Sequence, residues 1–177
     1  MSWIMVDVET DGPCPGIFSM LSLGAIVIEP ALNRTFFAKF RPIGDKFEPE
    51  ALKVNGLTRE QTLDFPPALK GVHDFNEWVV KNGGKKPMLI SDNNGFDWQF
   101  VNYYFHRYVE KNPFGHSSTN LGSLYKGLVK DMTQNFKHLR KTKHTHNPVD
   151  DARGNAEAFL HMHDNMGLIV PHDKISR

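Results

Sequence analysis

A chain of 177 residues with 40% hydrophobic and 23% charged residues has the size and balance of one globular domain, which excludes disordered and fibrous classes. Its single cysteine, Cys14, excludes an internal disulfide and a zinc site built on cysteine, and no apolar run approaches the roughly 18 residues of a membrane span. With one cysteine and no basic-then-apolar leader, the expected setting is the reducing cytoplasm, away from membranes; the net charge of +1 says nothing by itself about partners.

Ile4, Met5, Val6 and Val8 form a short apolar run that reads as a buried strand, interrupted by Asp7 and Glu9. Strand side chains alternate between faces, so the two carboxylates point the same way. Like charges so close repel, and burying either one unpaired is expensive. A Gly/Pro-rich loop, "DGPCPGIFSM", leads to two more strands, "LSLGAIVIE" and "RTFFAKFRPI", joined through "PALN" as a hairpin. "EPEALKVNGLTREQ" reads as a short helix followed by a turn at Asn55-Gly56.

Leu69, Val72, Phe75, Val79 and Val80 recur at helical spacing between Pro67 and about Val80, with Gly83-Gly84 as a stop. "KPMLISD" is a fourth strand, and "FDWQFVNYYFHRYVEK" is a strong helix after it. A weaker helix lies near "LGSLYKGLVKDM", and the last runs from about Asp151 through "ARGNAEAFLHMHDN". Antiparallel strands first and strand–helix alternation afterwards predict an α/β domain with a mixed sheet covered by helices. Residues 126–146 hold six cations, Lys126, Lys130, Lys137, Arg140, Lys141 and Lys143, against Asp131. That net +5, leaving −4 for the remainder, reads either as a solvated surface or as a contact for a polyanion.

Two further acids stand at helix starts. Asp97, Val101, Tyr104 and Tyr108 share one helical stripe, so Asp97 faces the sheet; taken alone it reads equally well as a capping acid. Asp151 begins the last helix beside a face outlined by Ala152, Ala156, Phe159, Leu160 and His163. His146 is five residues earlier, and Pro148 puts it on the preceding loop, where loop histidine and first-turn carboxylate can meet. Asp150 as the N-cap, with Asp151 merely favoured by the helix dipole, is the plainer reading of that segment. Together, four acids and a histidine at strand and helix starts form a set that is stable only if cations neutralise it. Oxygen ligands suit Mg²⁺ or Mn²⁺, and two such ions about 3.5–4 Å apart serve an in-line phosphoryl displacement.

"DVET" at 7–10, "NNGFD" at 93–97 and "HNPVDDA" at 146–152 resemble, in order and spacing, the three motifs of the DEDDh exonuclease superfamily. That group includes ribonuclease T, oligoribonuclease and the proofreading subunit of bacterial DNA polymerase III. The resemblance runs from Ile4 to about His163 and implies a ribonuclease H-like fold for a single domain spanning 1–177. It also implies a 3′–5′ exonuclease that releases nucleoside 5′-monophosphates from single-stranded RNA or DNA. Asp7 would bridge two Mg²⁺ ions, with Mn²⁺ able to substitute; Glu9 and Asp151 would complete one ligand set and Asp97 would support the second. His146 would be the general base, so the rate is expected to rise as its imidazole loses a proton. Asp150 stands where an apolar residue is usual, which leaves open whether it contributes beside Asp151; Asp92 stands where histidine or a small residue is common and is given no catalytic role.

Bases of single strands rest on aromatic or apolar platforms, and Phe18, Met20, Leu21 and Phe96 are placed to flank a terminal base. In the family the backbone after the first motif, here Thr10 and Asp11, meets the terminal sugar. A free-standing nuclease is expected, and a homodimer follows only from the habits of compact relatives. A non-catalytic nucleic-acid-binding module and a metal-dependent phosphatase acting on small esters are the rival readings.

Overall fold

The computed structural model describes residues 2–170; Met1 and 171–177 of the expected domain lie outside the described residues. A five-stranded mixed sheet in the order β3-β2-β1-β4-β5 forms the centre. β1 (Ser2–Thr10) pairs antiparallel with β2 (Met20–Val27), which pairs antiparallel with β3 (Thr35–Lys39). On its other side β1 runs parallel to β4 (Pro87–Ser91), and β4 parallel to β5 (Ser118–Asn120). This is the mixed α/β architecture expected, with the topology of a ribonuclease H-like fold.

Alternation along β1 separates two cores. Ile4, Val6 and Val8 join Val72, Phe75 and Val79 of α3 (Ala68–Asn82) and Phe100, Val101 and Tyr104 of α4 (Asn94–Tyr108). Met5 joins Leu121 and Tyr125 of α5 (Leu121–Val129) and Ala152, Ala156 and Phe159 of α6 (Pro148–Asn165) on the opposite face. Asp7 and Glu9, in phase with Met5, therefore open toward α6. β2 is buried along its whole length because helices cover both faces, which is why "LSLGAIV" lacks polar alternation.

Several local expectations need correction. Leu69 and Val80 are exposed, so the buried stripe of α3 is narrower than its apolar residues imply. After α1 (Pro49–Val54) the expected turn at Asn55-Gly56 is present, and a second short helix that was not expected, α2 (Arg59–Leu63), follows it; Thr58 and Gln61 close a capping box at its start. β5 is a fifth strand whose sequence, Ser-Thr-Asn, carries no apolar alternation. α6 begins at Pro148, three residues before Asp151, with the Asn147 side chain accepting from the Val149 amide at 3.0 Å. Asn147 and not Asp150 is thus the cap, and proline occupies the first helical position, where its missing N–H costs nothing. The first turn of α6 presses onto β2 at Gly24: a Cβ there would lie 2.2 Å from the Pro148 carbonyl carbon.

Candidate active site

The site sits where β1 outruns its parallel neighbour. Pairing with β4 ends at Met5, so the β4-facing edge of β1 is open beyond it, and the Val8 amide donates to Asp97 Oδ1 at 3.3 Å. Between Glu9 and Thr10 the register with β2 slips by one residue, leaving Leu21 of β2 without a partner on β1, an irregularity of a kind common beside functional sites. Asp97 arrives in the first turn of α4, directly after β4, and Asp151 in the first turn of α6. Oxygens of Asp7, Glu9 and Asp151 lie within 4.8 Å of one another. Asp97 stands beside this trio, and its charge acts on both Asp7 and Glu9.

The electrostatic cost of this arrangement is visible in proton affinities. Burial above all, then the charges of Asp97, Glu9 and Asp151, holds the Asp7 carboxyl well above the usual carboxylate range; Arg140 pulls the other way. Burial, then Asp151 and Asp97, pushes Glu9 up to about 8. Burial likewise pushes Asp97 up to about 7, against hydrogen bonds from Ser91 and the Val8 amide. Such a group must keep protons or take up cations. An all-oxygen donor set of carboxylates fits a hard divalent ion such as Mg²⁺ or Mn²⁺.

His146 lies on the loop before α6, as Pro148 led one to expect, with φ at 59°. Its ring is half exposed, and Nδ1 stands 4.0 Å from Glu9 Oε1. The loop is stapled to α6 by that helix's own acids. Glu157 accepts from the amides of Lys141 and Thr142 at 2.8 and 2.7 Å and from the Thr142 hydroxyl at 2.9 Å. Asp151 accepts from the Thr145 and His146 amides at 2.9 and 3.0 Å, and Asp150 from the Thr145 hydroxyl at 3.3 Å. Asp150 therefore shapes the loop from outside the carboxylate cluster.

Two neighbours of the site escaped the sequence reading. His144 places Nδ1 2.9 Å from Asp151 Oδ1, and its ring meets that of His146 edge to face at 4.4 Å. Only its spacing, two residues before His146, hinted at this. Arg140, counted above with the surface cations, is in fact nearly buried: it pairs with Asp92 at 3.0 Å and hydrogen-bonds Asn155 of α6. It ties the end of β4 to α6 and lends Asp7 a compensating charge.

The expected substrate-contacting residues divide. Phe18 is half-buried over Gly12, where a Cβ would come 2.1 Å from its ring. Phe96 is half-buried against Phe100, with centroids 5.3 Å apart. Met20 and Leu21 are core residues with no surface to offer a base, because β2 is covered on both faces. The Thr10 carbonyl accepts from Asn55 at 2.9 Å; the Asp11 amide and carbonyl bond Ser19 and Glu48 at 2.9 and 2.8 Å. The buried Asp11 carboxylate pairs with Arg59 at 3.0 Å, fixing the loop after β1 to α2.

The chain is similar in sequence and fold to known proteins. The RNase T family model, described as exonuclease, matches residues 4–159. The 3′–5′ DNA exonuclease Cap18 of Escherichia coli is 36% identical over 168 residues, 89% of each chain. Among solved structures, cell-death related nuclease 4 (CRN-4) superposes with a TM-score of 0.75 at 12% identity, over 92% of this chain and 64% of its own. A zinc-bound complex of E. coli exonuclease I with single-stranded DNA gives 0.71 at 17% identity, over 93% of this chain and 41% of its own. A 3′-exonuclease that recognises the histone mRNA stem-loop gives 0.73 at 16% identity, over 94% and 65%. This chain spans less than two thirds of each of those three solved chains. At such identities the likeness is one of fold.

Proposed function

The chain belongs to the RNase T exonuclease family, as a DEDD-type 3′–5′ exonuclease, and on that premise we propose how residues 1–177 act as one catalytic domain. The family is divalent-metal dependent, and the reading here is two Mg²⁺ ions, replaceable by Mn²⁺, held by Asp7, Glu9, Asp97 and Asp151. The observation that carries it is the convergence of Asp7, Glu9 and Asp151 within 4.8 Å, at a place where burial makes Asp7 and Glu9 hold protons unless a cation takes their place. When bound, the ions supply Lewis-acid stabilisation of charge developing on the scissile phosphate.

The chain's own residues orient and move the proton. The backbone amide of His146 is fastened to Asp151, and its half-exposed ring is close to Glu9 on the solvent side of the trio. From there the imidazole takes a proton from the attacking water, and the product leaves as a nucleoside 5′-monophosphate. Phe18 and Phe96 flank the terminal base, while the fixed backbone at Thr10 and Asp11 meets the terminal sugar. The exposed Lys137, Lys141 and Lys143 track upstream phosphates of a single strand. Similarity to a protein named as a DNA exonuclease, over 89% of both chains, favours DNA over RNA. A homodimer is part of the same proposal, and sedimentation velocity tests it.

The test is digestion of 5′-labelled single-stranded DNA and RNA of one sequence, with Mg²⁺, Mn²⁺ or chelator, beside Asp7→Ala. A metal-dependent ladder shortening from the 3′ end, lost in the variant and faster on DNA, is expected. A ladder that survives chelation or Asp7→Ala would refute the metal assignment.

A further inference from the structure

His144 has no part in the proposed reaction, yet it completes a second group of convergent donors. Ligand atoms of His144, His146 and Asp151 all lie within 4.8 Å of one another. One edge of that triangle, His144 Nδ1 to Asp151 Oδ1, is already 2.9 Å, and the two rings stand 4.4 Å apart. Around a tetrahedral ion with ligands at about 2.0–2.2 Å, neighbouring donors are about 3.3–3.6 Å apart. Small rotations of two half-exposed rings close the difference, and that exposure leaves a path for an ion to enter. The Thr145 and His146 amides hold the shared carboxylate in place, as outer-shell partners of metal ligands do.

We propose that His144, His146 and Asp151 form a distinct transition-metal site, suited to Zn²⁺, that overlaps the Mg²⁺ site at Asp151. Donor chemistry separates the two. Asp7, Glu9 and Asp151 offer only oxygens, which suit a hard ion; two imidazoles and one carboxylate suit zinc, nickel or copper far better than magnesium. Occupation of the second site would withdraw Asp151 from the first and tie up the His146 ring that takes the proton. Zn²⁺ would therefore inhibit the Mg²⁺-driven reaction. Binding of zinc stands independently of the exonuclease mechanism proposed above; the inhibition rests on it.

The experiment uses the untagged chain, freed of metal and titrated with ZnCl₂ by calorimetry and with Co²⁺ by visible absorption. His144→Ala and His144→Gln are run in parallel, with thermal melts to establish that both fold. The unaltered chain should give the intense visible bands of a four-coordinate Co²⁺ site. Both variants should lose those bands and bind zinc at least about 10-fold more weakly, the lower bound for losing even an outer-shell partner. The zinc concentration that halves the Mg²⁺-driven rate, referred to each protein's own zinc-free rate, should rise in step. Unchanged zinc affinity in both variants, or a loss seen with Glu9→Gln instead, would overturn the site. Zinc binding lost with His144, in a protein that shows no nuclease activity with Mg²⁺, would uphold the site and overturn the proposed function.

Discussion

Replacing Glu9 by Gln removes one negative charge from the site while keeping the side chain's length and shape. In the folded, cation-free protein the Glu9 carboxyl holds its proton up to about 8, against an ordinary 4.5. The proton is bound more tightly in the folded state, so the stability it confers is present below pH 4.5 and lost as pH rises through about 8. At about 1.4 kcal/mol for each tenfold change in proton affinity, the ceiling on that loss is about 5 kcal/mol. Asp7 answers to the Glu9 charge, so it relaxes when Glu9 is neutralised, and about half that ceiling, 2–3 kcal/mol, is expected from one substitution. For a domain of this size that is about 4–12 °C in Tm. Thermal melts in chelator should therefore show Glu9→Gln level with the parent at pH 4 and more stable at pH 8.5. Excess Mg²⁺ at pH 8.5 should raise the parent's Tm and shrink the gap. A gap that is absent at pH 8.5, or equal at both pH values, would refute the claim that burial, with the neighbouring carboxylates, penalises an ionised Glu9 in this site.

Other outcomes follow from the same geometry. Asp7→Ala should abolish turnover yet melt no lower than the parent in chelator, because it relieves the same penalty; loss of its circular dichroism signal would contradict this. His146→Ala should lower kcat by about 10²–10⁴-fold with little change in binding of a single strand, measured by fluorescence anisotropy. Gly24→Ala would drive a methyl into the backbone at Pro148 and Val149. It should cost about 1–3 kcal/mol or more and reduce activity by shifting the turn that carries Asp151, readable from denaturant unfolding alongside the nuclease assay. Arg140→Ala removes the cation between Asp92 and Asn155 that also favours an ionised Asp7. The Mg²⁺ concentration for half-maximal rate should rise, and Arg140→Lys should restore it only in part, since an ammonium cannot reproduce the guanidinium's paired geometry.

Much of this site is written into short-range pattern. Asp7 and Glu9 share a face because strand side chains repeat every two residues, and Pro148 forces His146 off the helix that carries Asp151. Those two facts, with Asp97 on the sheet-facing stripe of α4, made the acids and the histidine candidates; the resemblance to the three DEDDh motifs singled them out. The capping box at Thr58 and Gln61 and the Asn147-Pro148 start of α6 were equally local signals, and they are the ones that went unread. β5 was illegible for a different reason: three polar residues acquire strand geometry only by hydrogen-bonding to β4. Met20 looked available to a base because its flanks are loop-like, but helices cover both faces of β2.

Sequence alone determined which residue types converge, because local periodicity and proline geometry set the direction of each side chain. Tertiary structure decided what those residues experience. Burial at the open end of β1 raises the acids' proton affinity, a quantity that depends on neighbours nearly 90 and 145 positions away in the chain. It also turned Arg140 from a surface cation into a buried tie beneath the site and set His144 against Asp151. Neither contact follows from spacing, because a loop has no period; its path is fixed only by the helix it packs against.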